Sequence, residues 1–459
     1  MQVNLNLKAE DLKKKIDTFF SLSGDKIKSM SHLDSAAGSP VVTVKGVYEP
    51  RNWTDWTQGF QYGSELLQFD ATNDEYFLEL ALDHIKTNMT PHVSHFGVHD
   101  HGFNNLSTYG NLLRLINEGR IPENEWTKEY CILALRLSAS VQAQRWTTTP
   151  IGGYIYSFNG PHSLFVDTIR TIRILVAGHL LNHHSSGEND IKINLLKRAY
   201  QHAVATAKYC IYYGEGRDRY DLWGRTAHEA IFNVNDGNYR SASTQQGYSG
   251  FSTWTRGLSW AMLGFAEQLE FLQTIENVPE LDELGGKDYM EATFLKAAKA
   301  TCDFYIENTA LDGIPYWDTG APDLGHLKDW RTKNSDPFND WEPIDSSAAA
   351  IGAQGLLRLA NYLKQKNSAE ADTYWSAGLT VVNTLFSKPY LSTNPSHQGL
   401  LLHTIYHQPN GWDHIPKGSK IPNGEACMWG DYHGRELALY LSRVIKGESY
   451  YTFFNNITP

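Results

Sequence analysis

Apolar side chains recur along this sequence at steps of three and four residues far more often than at steps of two. A chain patterned that way has to bury helices rather than strands. Phe77, Leu80, Ala81, Ile85 and Met89 trace one such stripe, and Phe165, Ile169, Ile172, Val176 and Leu180 trace another. Phe294, Ala298, Cys302 and Tyr305 repeat the pattern later in the chain. The spacing predicts about a dozen amphipathic helices, near 8–22, 59–69, 75–89, 105–118, 124–142, 162–183, 192–213, 257–274, 288–308, 346–366, 369–386 and 430–446. Strand-like alternation is scarce.

Long loops rich in Gly, Trp, Asp and His separate alternate helices, at 91–104, 143–160, 214–256, 310–345 and 388–429. Loops of that length are uncommon in a compact domain unless they carry function. Paired helices with functional loops on one side predict an all-α toroid, an (α/α)6 barrel of six inner helices ringed by six outer ones. Length alone would suggest about three domains of ~150 residues. No Pro-, Ser- or Gly-rich linker divides the 459 residues, however, so 1–459 is expected to be a single catalytic barrel.

Net charge is −11, and Lys13-Lys14-Lys15 is the only run of basic residues, which excludes a nucleic-acid footprint. Those lysines suit the wet face of a first helix. No apolar stretch approaches the ~18–20 residues that span a bilayer, so no membrane partner is expected. Residues 1–7 are polar and no signal peptide follows, which points to a cytoplasmic or periplasmic protein. The four cysteines (Cys131, Cys210, Cys302, Cys427) are far apart, lack a Cys-x-x-Cys and sit among apolar residues, so buried free thiols are expected.

The residues that could do chemistry cluster in the loops. Val98-His99-Asp100-His101-Gly102-Phe103 precedes one helix. Ser157-Phe158-Asn159-Gly160-Pro161 leads into another, with Pro161 suited to a first helical position and Asp167 in the second turn. Asp167 is flanked by Phe165, Val166 and Ile169, a setting expected to raise its pKa and let it hold a proton. The densest cluster is Thr244-Gln245-Gln246-Gly247-Tyr248, then Ser252-Thr253-Trp254-Thr255-Arg256-Gly257 and Trp260. Indole faces stack on sugar C–H surfaces, Arg clamps a carboxylate bidentately, and Gln reads hydroxyls. Pro315-Tyr316-Trp317-Asp318, Asp345-Ser346-Ser347-Ala348-Ala349-Ala350 and Met428-Trp429-Gly430-Asp431-Tyr432 mark further helix entries, with Asp345 placed as a cap.

Taken in order, these elements resemble the unsaturated glucuronyl hydrolases, glycoside hydrolase family 88, over roughly residues 50 to 445. The His-Asp pair before Gly-Phe, the loop His228, the Gln-Gly-Tyr, the Ser-x-Trp-x-Arg-Gly with a further Trp, the Pro-Tyr-Trp-Asp, the Asp-Ser-Ser-Ala-Ala-Ala and the Trp-Gly-Asp-Tyr all stand in sequence. The resemblance implies an α/α six-barrel without metal or organic cofactor, acting on an unsaturated oligosaccharide left by polysaccharide lyases. It implies that Asp167 protonates C4 of the enol ether and activates water at C5. Asp100 would hold the ring and keep the pKa of Asp167 high. His99, His228 and Gln246 would bind the uronate side, Arg256 and Trp260 its carboxylate, and Phe158 and Trp254 would form stacking walls.

The sequence also departs from that pattern. Asp167-Thr168-Ile169-Arg170-Thr171 replaces the family's Met-Asn after the catalytic Asp. Gly59-Phe60-Gln61 replaces Gly-Phe-Trp and removes one stacking aromatic, and Gln245 replaces a frequent His. The longer 411–425 segment, with Lys417 and Lys420, suggests an unusual leaving sugar such as a sulfated glycosaminoglycan or algal fragment. Three rival readings follow from the same residues. One is an unsaturated rhamnogalacturonyl hydrolase acting on pectin fragments. Another is a metal-dependent hydrolase using His92, His95, His99 and His101. The third, a non-catalytic sugar-binding protein, sits poorly with two intact aspartates.

Overall fold

A computed structural model describes residues 1–31, 38–51, 56–276 and 278–459. Six helical runs form a closed inner ring: Gln58–Thr72, the broken run across 101–117, the pair Thr168–Thr171 and Arg173–Leu180, then Thr255–Leu272, Ser346–Gln365 and Met428–Ile445. Each packs on the next, and Met428–Ile445 packs back on Gln58–Thr72 to close the circle. Lys13–Met30, Glu75–Asn88, Glu125–Gln144, Leu195–Tyr209, Gly286–Glu307 and Ala371–Leu385 form the outer layer. This is the (α/α)6 barrel that the periodicity predicted.

Composition sorts the two layers. Every residue of Thr255–Leu272 is buried, as an inner helix walled on all sides requires. The outer helix Lys13–Met30 buries a single stripe that includes Ile16, Phe19, Phe20, Ile27 and Met30. Neighbouring inner helices approach closely where one of them carries glycine. A Cβ on Gly102 would lie 2.1 Å from the carbonyl oxygen of Thr171, so no larger residue fits that crossing.

Connections from inner to outer helices are short, as at 73–74 and 366–370, whereas those from outer to inner are long. The long loops therefore gather at the N-terminal ends of the inner helices. The sequence reading undercounted one element there. Ser163–Phe165 is a strand, paired antiparallel with Glu229–Phe232, which pairs in turn with Tyr239–Ser243. The run Leu164-Phe165-Val166 is apolar at every position and fits either period, so pattern alone could not separate strand from helix. Asp167 consequently stands immediately before the helix Thr168–Thr171 rather than in its second turn.

All four cysteines are buried and free. Lys15, expected on the wet face, instead holds the carbonyl and side chain of Asn383 and the hydroxyl of Ser387 on an outer helix. Among the described residues, no helix is long and apolar enough to cross a membrane.

Candidate active site

Asp100 and Asp167 occupy equivalent places in the fold. Each immediately precedes an inner helical run, and neither side chain caps its own helix. A carboxylate at that position usually bonds the first backbone N–H groups. Here both are left to face a cleft of about 480 Å³ lined by Trp56, His99, Phe158, Gln246, Trp254 and Trp260, among others.

His99 lies between the two carboxylates. Its Nε2 is 3.5 Å from Oδ2 of Asp167 and 3.9 Å from Oδ1 of Asp100. His228 approaches from the far side, its Nε2 4.0 Å from Oδ1 of Asp167. All four residues are buried. His228 enters from the end of the strand pairing described above, and its Nδ1 accepts the backbone N–H groups of Gln245 and Gln246 at 3.1 and 3.3 Å. Those two donors fix the tautomer, so that the neutral ring carries its proton on Nε2, toward Asp167.

The charge distribution reverses one expectation. Burial pushes the Asp100 carboxyl up to about 6, against the pull of His99. Burial also pushes Asp167 upward, but His99 and His228 outweigh it and hold Asp167 below the ordinary carboxylate range. Burial pulls the His99 imidazole down, yet Asp100 and Asp167 together raise it. His228 is lowered by burial to about 4 and stays neutral. The raised carboxyl is thus Asp100, chiefly through burial, and not Asp167, and the proton nearest Asp167 belongs to His99.

Four buried polar atoms here make no hydrogen bond: both nitrogens of His99, Nε2 of His228 and Oδ1 of Asp167. Unpaired buried polar atoms also occur elsewhere in the barrel, but these four converge on one cleft, and such a convergence marks a place shaped for a polar ligand.

Phe158 stacks on His99 with ring centroids 6.0 Å apart. Trp254 lies 4.6 Å from His228 across the cleft, and Trp260 forms part of the wall with Phe103 behind it at 4.8 Å. Gly247 lets the Gln245-Gln246 segment turn against Trp254, since a Cβ there would meet the Trp254 Cβ at 2.8 Å.

Arg256 does not sit as expected. It lines the cleft, but both its terminal nitrogens are spent on the protein. They reach Asp345 at 3.1 Å, Gln246 Oε1 at 2.7 Å, and the carbonyls of Ile405 and Tyr406. The guanidinium also lies between Trp254 and Trp429, 4.5 and 4.8 Å from their ring centres. A bidentate clamp on a uronate would need donors already committed. The arginine instead fixes the side-chain carbonyl of Gln246, which leaves the amide NH2 as the group offered to the cleft.

The four-histidine cluster does not form. His101 has Nδ1 on the Ser138 hydroxyl at 2.8 Å and Nε2 on the His95 carbonyl at 3.0 Å, so neither nitrogen can ligate. Among the described residues, the one group able to converge on a metal is His99, Asp100 and Asp167, whose ligand atoms lie within 4.8 Å of one another. The sequence pattern His92/His95/His99/His101 fails because only His99 turns into the cleft with the carboxylates.

Trp56, Phe165, Gln245, Tyr406 and His407 also line the cleft and were missed by the sequence reading. Trp56 stacks on Trp429 at 4.8 Å and supplies an aromatic three residues before the Gly59-Phe60-Gln61 segment. Its position in a Trp53–Trp56 pair ahead of a helix was a usable signal. Tyr406 and His407 are held by Asp413, which accepts both their backbone N–H groups at 2.6 and 2.8 Å. Nothing local in the sequence announces that contact.

No family model matches the chain. It is 27% identical over 384 residues to an unsaturated glucuronyl hydrolase of Formosa agariphila, covering 83% of this chain and 78% of that protein. To the unsaturated glucuronyl hydrolase of Bacillus sp. GL1 it is 26% identical over 412 residues, 86% of this chain and 89% of the relative. The crystal structure of the Bacillus sp. GL1 enzyme, described as responsible for the degradation of glycosaminoglycan, superposes with a TM-score of 0.69 at 22% identity. That match covers 94% of this chain and 97% of that one. In sequence and in fold, the chain is similar to unsaturated glucuronyl hydrolases over most of its length.

Proposed function

We propose that the chain is an unsaturated glucuronyl hydrolase, which removes a 4,5-unsaturated uronate from the non-reducing end of lyase-generated oligosaccharides. The observation that carries this reading is the set of unpartnered polar atoms on His99, Asp167 and His228, beside Asp100, in an aromatic-walled cleft. The likeness to enzymes of that activity supports it.

The geometry suits addition to a double bond better than inverting displacement at a glycosidic carbon. An inverting glycosidase separates its carboxyl groups by ~6.5–9.5 Å to seat a water between them. Here an oxygen of Asp100 and one of Asp167 lie within 4.8 Å of each other, too close to seat that water; a retaining pair, ~5–5.5 Å apart, is the displacement geometry this spacing still matches. They address one side of a substrate together.

The steps follow from those positions. Asp167 delivers a proton to C4 of the enol ether, and the π electrons form the new C–H bond, leaving an oxocarbenium ion shared by C5 and the ring oxygen. Water adds at C5 and returns its proton to Asp167. The hemiketal opens and collapses, releasing the next sugar and an open-chain keto acid. Asp167 receives its working proton from His99 Nε2, 3.5 Å away, and the incoming uronate charge favours protonation of every carboxyl group in the cleft. Asp100 keeps His99 protonated, neutral His228 donates Nε2–H toward the reacting region, and Gln246, fixed by Arg256, donates its amide. Phe158, Trp254, Trp260 and Trp56 cover the sugar faces.

The test is a spectrophotometric panel of unsaturated disaccharides prepared by lyases from chondroitin, heparin, hyaluronan, ulvan and pectin, with chelator present throughout. Loss of the conjugated-uronate absorbance on at least one substrate is expected. A folded protein that leaves every absorbance unchanged would overturn the assignment.

A further inference from the structure

The loop that gives Gln246 and Trp254 to the reaction cleft also lines a second groove, with Tyr248 and Phe251. This groove, of about 1390 Å³, is completed by Tyr220, Trp223, Arg225 and Arg331. Apart from Phe304, its aromatic rings are not core residues. Tyr220 is 52% exposed and Phe251 49%, and the two are stacked on each other with centroids 4.8 Å apart. Aromatic rings left in water side by side are a cost unless something covers them.

The rings are held in place by ordered loops. Asp221 accepts the backbone N–H groups of Tyr213, Gly214, Glu215 and Arg217 at 2.7–3.1 Å and so ties the segment before Tyr220 into a tight turn. The Tyr220 N–H donates to Asp218 at 2.7 Å, and the Trp223 indole N–H donates to Asp303 at 2.9 Å. Surfaces fixed before a ligand arrives lose little entropy on binding.

The composition of the groove indicates its occupant. Leu222 is its single aliphatic side chain; the rest of the lining interleaves aromatic rings with Ser, Thr and Asn. Tyr, Trp and Arg also anchor protein interfaces, but flat exposed rings set beside hydroxyl and amide groups are the lining that stacks on and hydrogen-bonds a sugar. Two arginines stand in the lining against one carboxylate, Glu307, in a protein of net charge −11. Arg225 is buried beneath the rings and ion-paired to Asp218 at 3.4 Å, and its Nε has no hydrogen-bond partner. The Arg225 guanidinium, stacked 3.5 Å over the Tyr212 ring, thus sets a fixed positive charge under the floor of the groove.

We infer that this groove is a second carbohydrate-binding site, separate from the reaction cleft, which takes an acidic oligosaccharide. The acidic character draws on the functional reading above, while the preference for sugar rests on the groove itself.

The test is calorimetric titration with a chondroitin sulfate hexasaccharide whose non-reducing end is saturated and has no C4=C5 bond to react. The native protein is compared with the Tyr220→Ala/Phe251→Ala double variant, whose changes lie at exposed positions. Loss of one binding event, or an affinity weakened about tenfold, is expected from removing the two stacking rings. Equal stoichiometry and affinity in both proteins would overturn the site. So would a native protein that binds no hexasaccharide but sediments as a dimer that the double variant cannot form, since the groove would then join two copies of the chain. Failure to turn over unsaturated disaccharides, alongside groove-dependent binding, would overturn the functional reading and leave this site standing.

Discussion

Nε2 of His99 stands 3.5 Å from Oδ2 of Asp167, inside a pocket where neither nitrogen of the imidazole has a hydrogen-bond partner. The proton of this pair rests on His99, whose imidazole is raised while the Asp167 carboxyl is lowered. Asp167 lines the cleft, and its other oxygen lies 4.0 Å from Nε2 of His228, so it is the carboxylate proposed to carry that proton to the substrate. Asp167→Asn preserves volume and burial but cannot cycle a proton. It should fold with unchanged circular dichroism and lose kcat/KM by roughly 10²–10⁴. A folded variant with near-native turnover would remove Asp167 from the reaction.

The pH profile tests where the proton waits. The active form needs a proton on the His99–Asp167 pair, so kcat/KM should fall as pH rises through the raised His99 value. Asp100 is the strongest influence raising that imidazole against its burial. Replacing Asp100 with Asn removes the carboxylate charge, so the imidazole gives up its proton at a lower pH. The alkaline limb of the Asp100→Asn profile should therefore move to lower pH, along with any loss in rate. A limb that stays in place or moves upward would show that His99 is not the reservoir.

Arg256 and Gln246 should behave as one unit. The arginine's 2.7 Å bond fixes the amide, and its remaining terminal contacts go to Asp345 and two carbonyls. Lysine cannot reproduce that fork. Arg256→Lys should lower kcat/KM about tenfold by releasing Gln246, the worth of one well-made hydrogen bond to a charged group. Gln246→Ala should cost a similar amount. The double variant should be no worse than either single variant, because both remove the same contact. Additive losses would mean that Arg256 touches substrate itself.

The barrel was legible because period-3.6 stripes are a local property. Phe77, Ala81 and Ile85 read as helix in the sequence, and they line one in the structure. What escaped the sequence was set by contacts across the fold. Ser163-Leu164-Phe165 became strand through pairing with a segment some 65 residues away. Trp56 reached the cleft by stacking on Trp429, and Tyr406 by the hold of Asp413. The order of the two carboxyl pKa values was likewise invisible. The flanking Phe165 and Val166 argued for a raised Asp167, while the imidazoles that lower it come from positions 99 and 228. Motif residues gave the membership of the site, and only the fold gave its charges.

Arg170 shows the same dependence on distant partners. It is completely buried and meets Glu267 through two bonds at 3.0 and 3.1 Å, Glu436 at 2.8 Å and Nε2 of His433 at 2.6 Å. His433 gives its Nδ1–H to the Trp429 carbonyl, which leaves Nε2 to accept from the arginine. Arg170→Met keeps a long side chain but strands carboxylates that Arg170 neutralises, with Arg173 left to reach Glu267 at 3.4 Å. Breaking a buried pair by removing one partner costs about 3–5 kcal/mol. The sign of the pH dependence follows from Glu436. Burial pushes its pKa up, but the arginines, Arg170 foremost, hold it below the ordinary value, so in the native protein it adds stability above that value. That contribution is lost as pH falls through the depressed folded pKa. In the variant the folded pKa rises instead, and stability is lost as pH rises. The gap in urea-unfolding stability between native protein and variant should therefore be widest near neutrality and narrow toward pH ~4.5, where a glutamate in the unfolded chain takes up its proton. A gap that stays constant over that range would mean that Arg170 stabilises the barrel by packing rather than by charge.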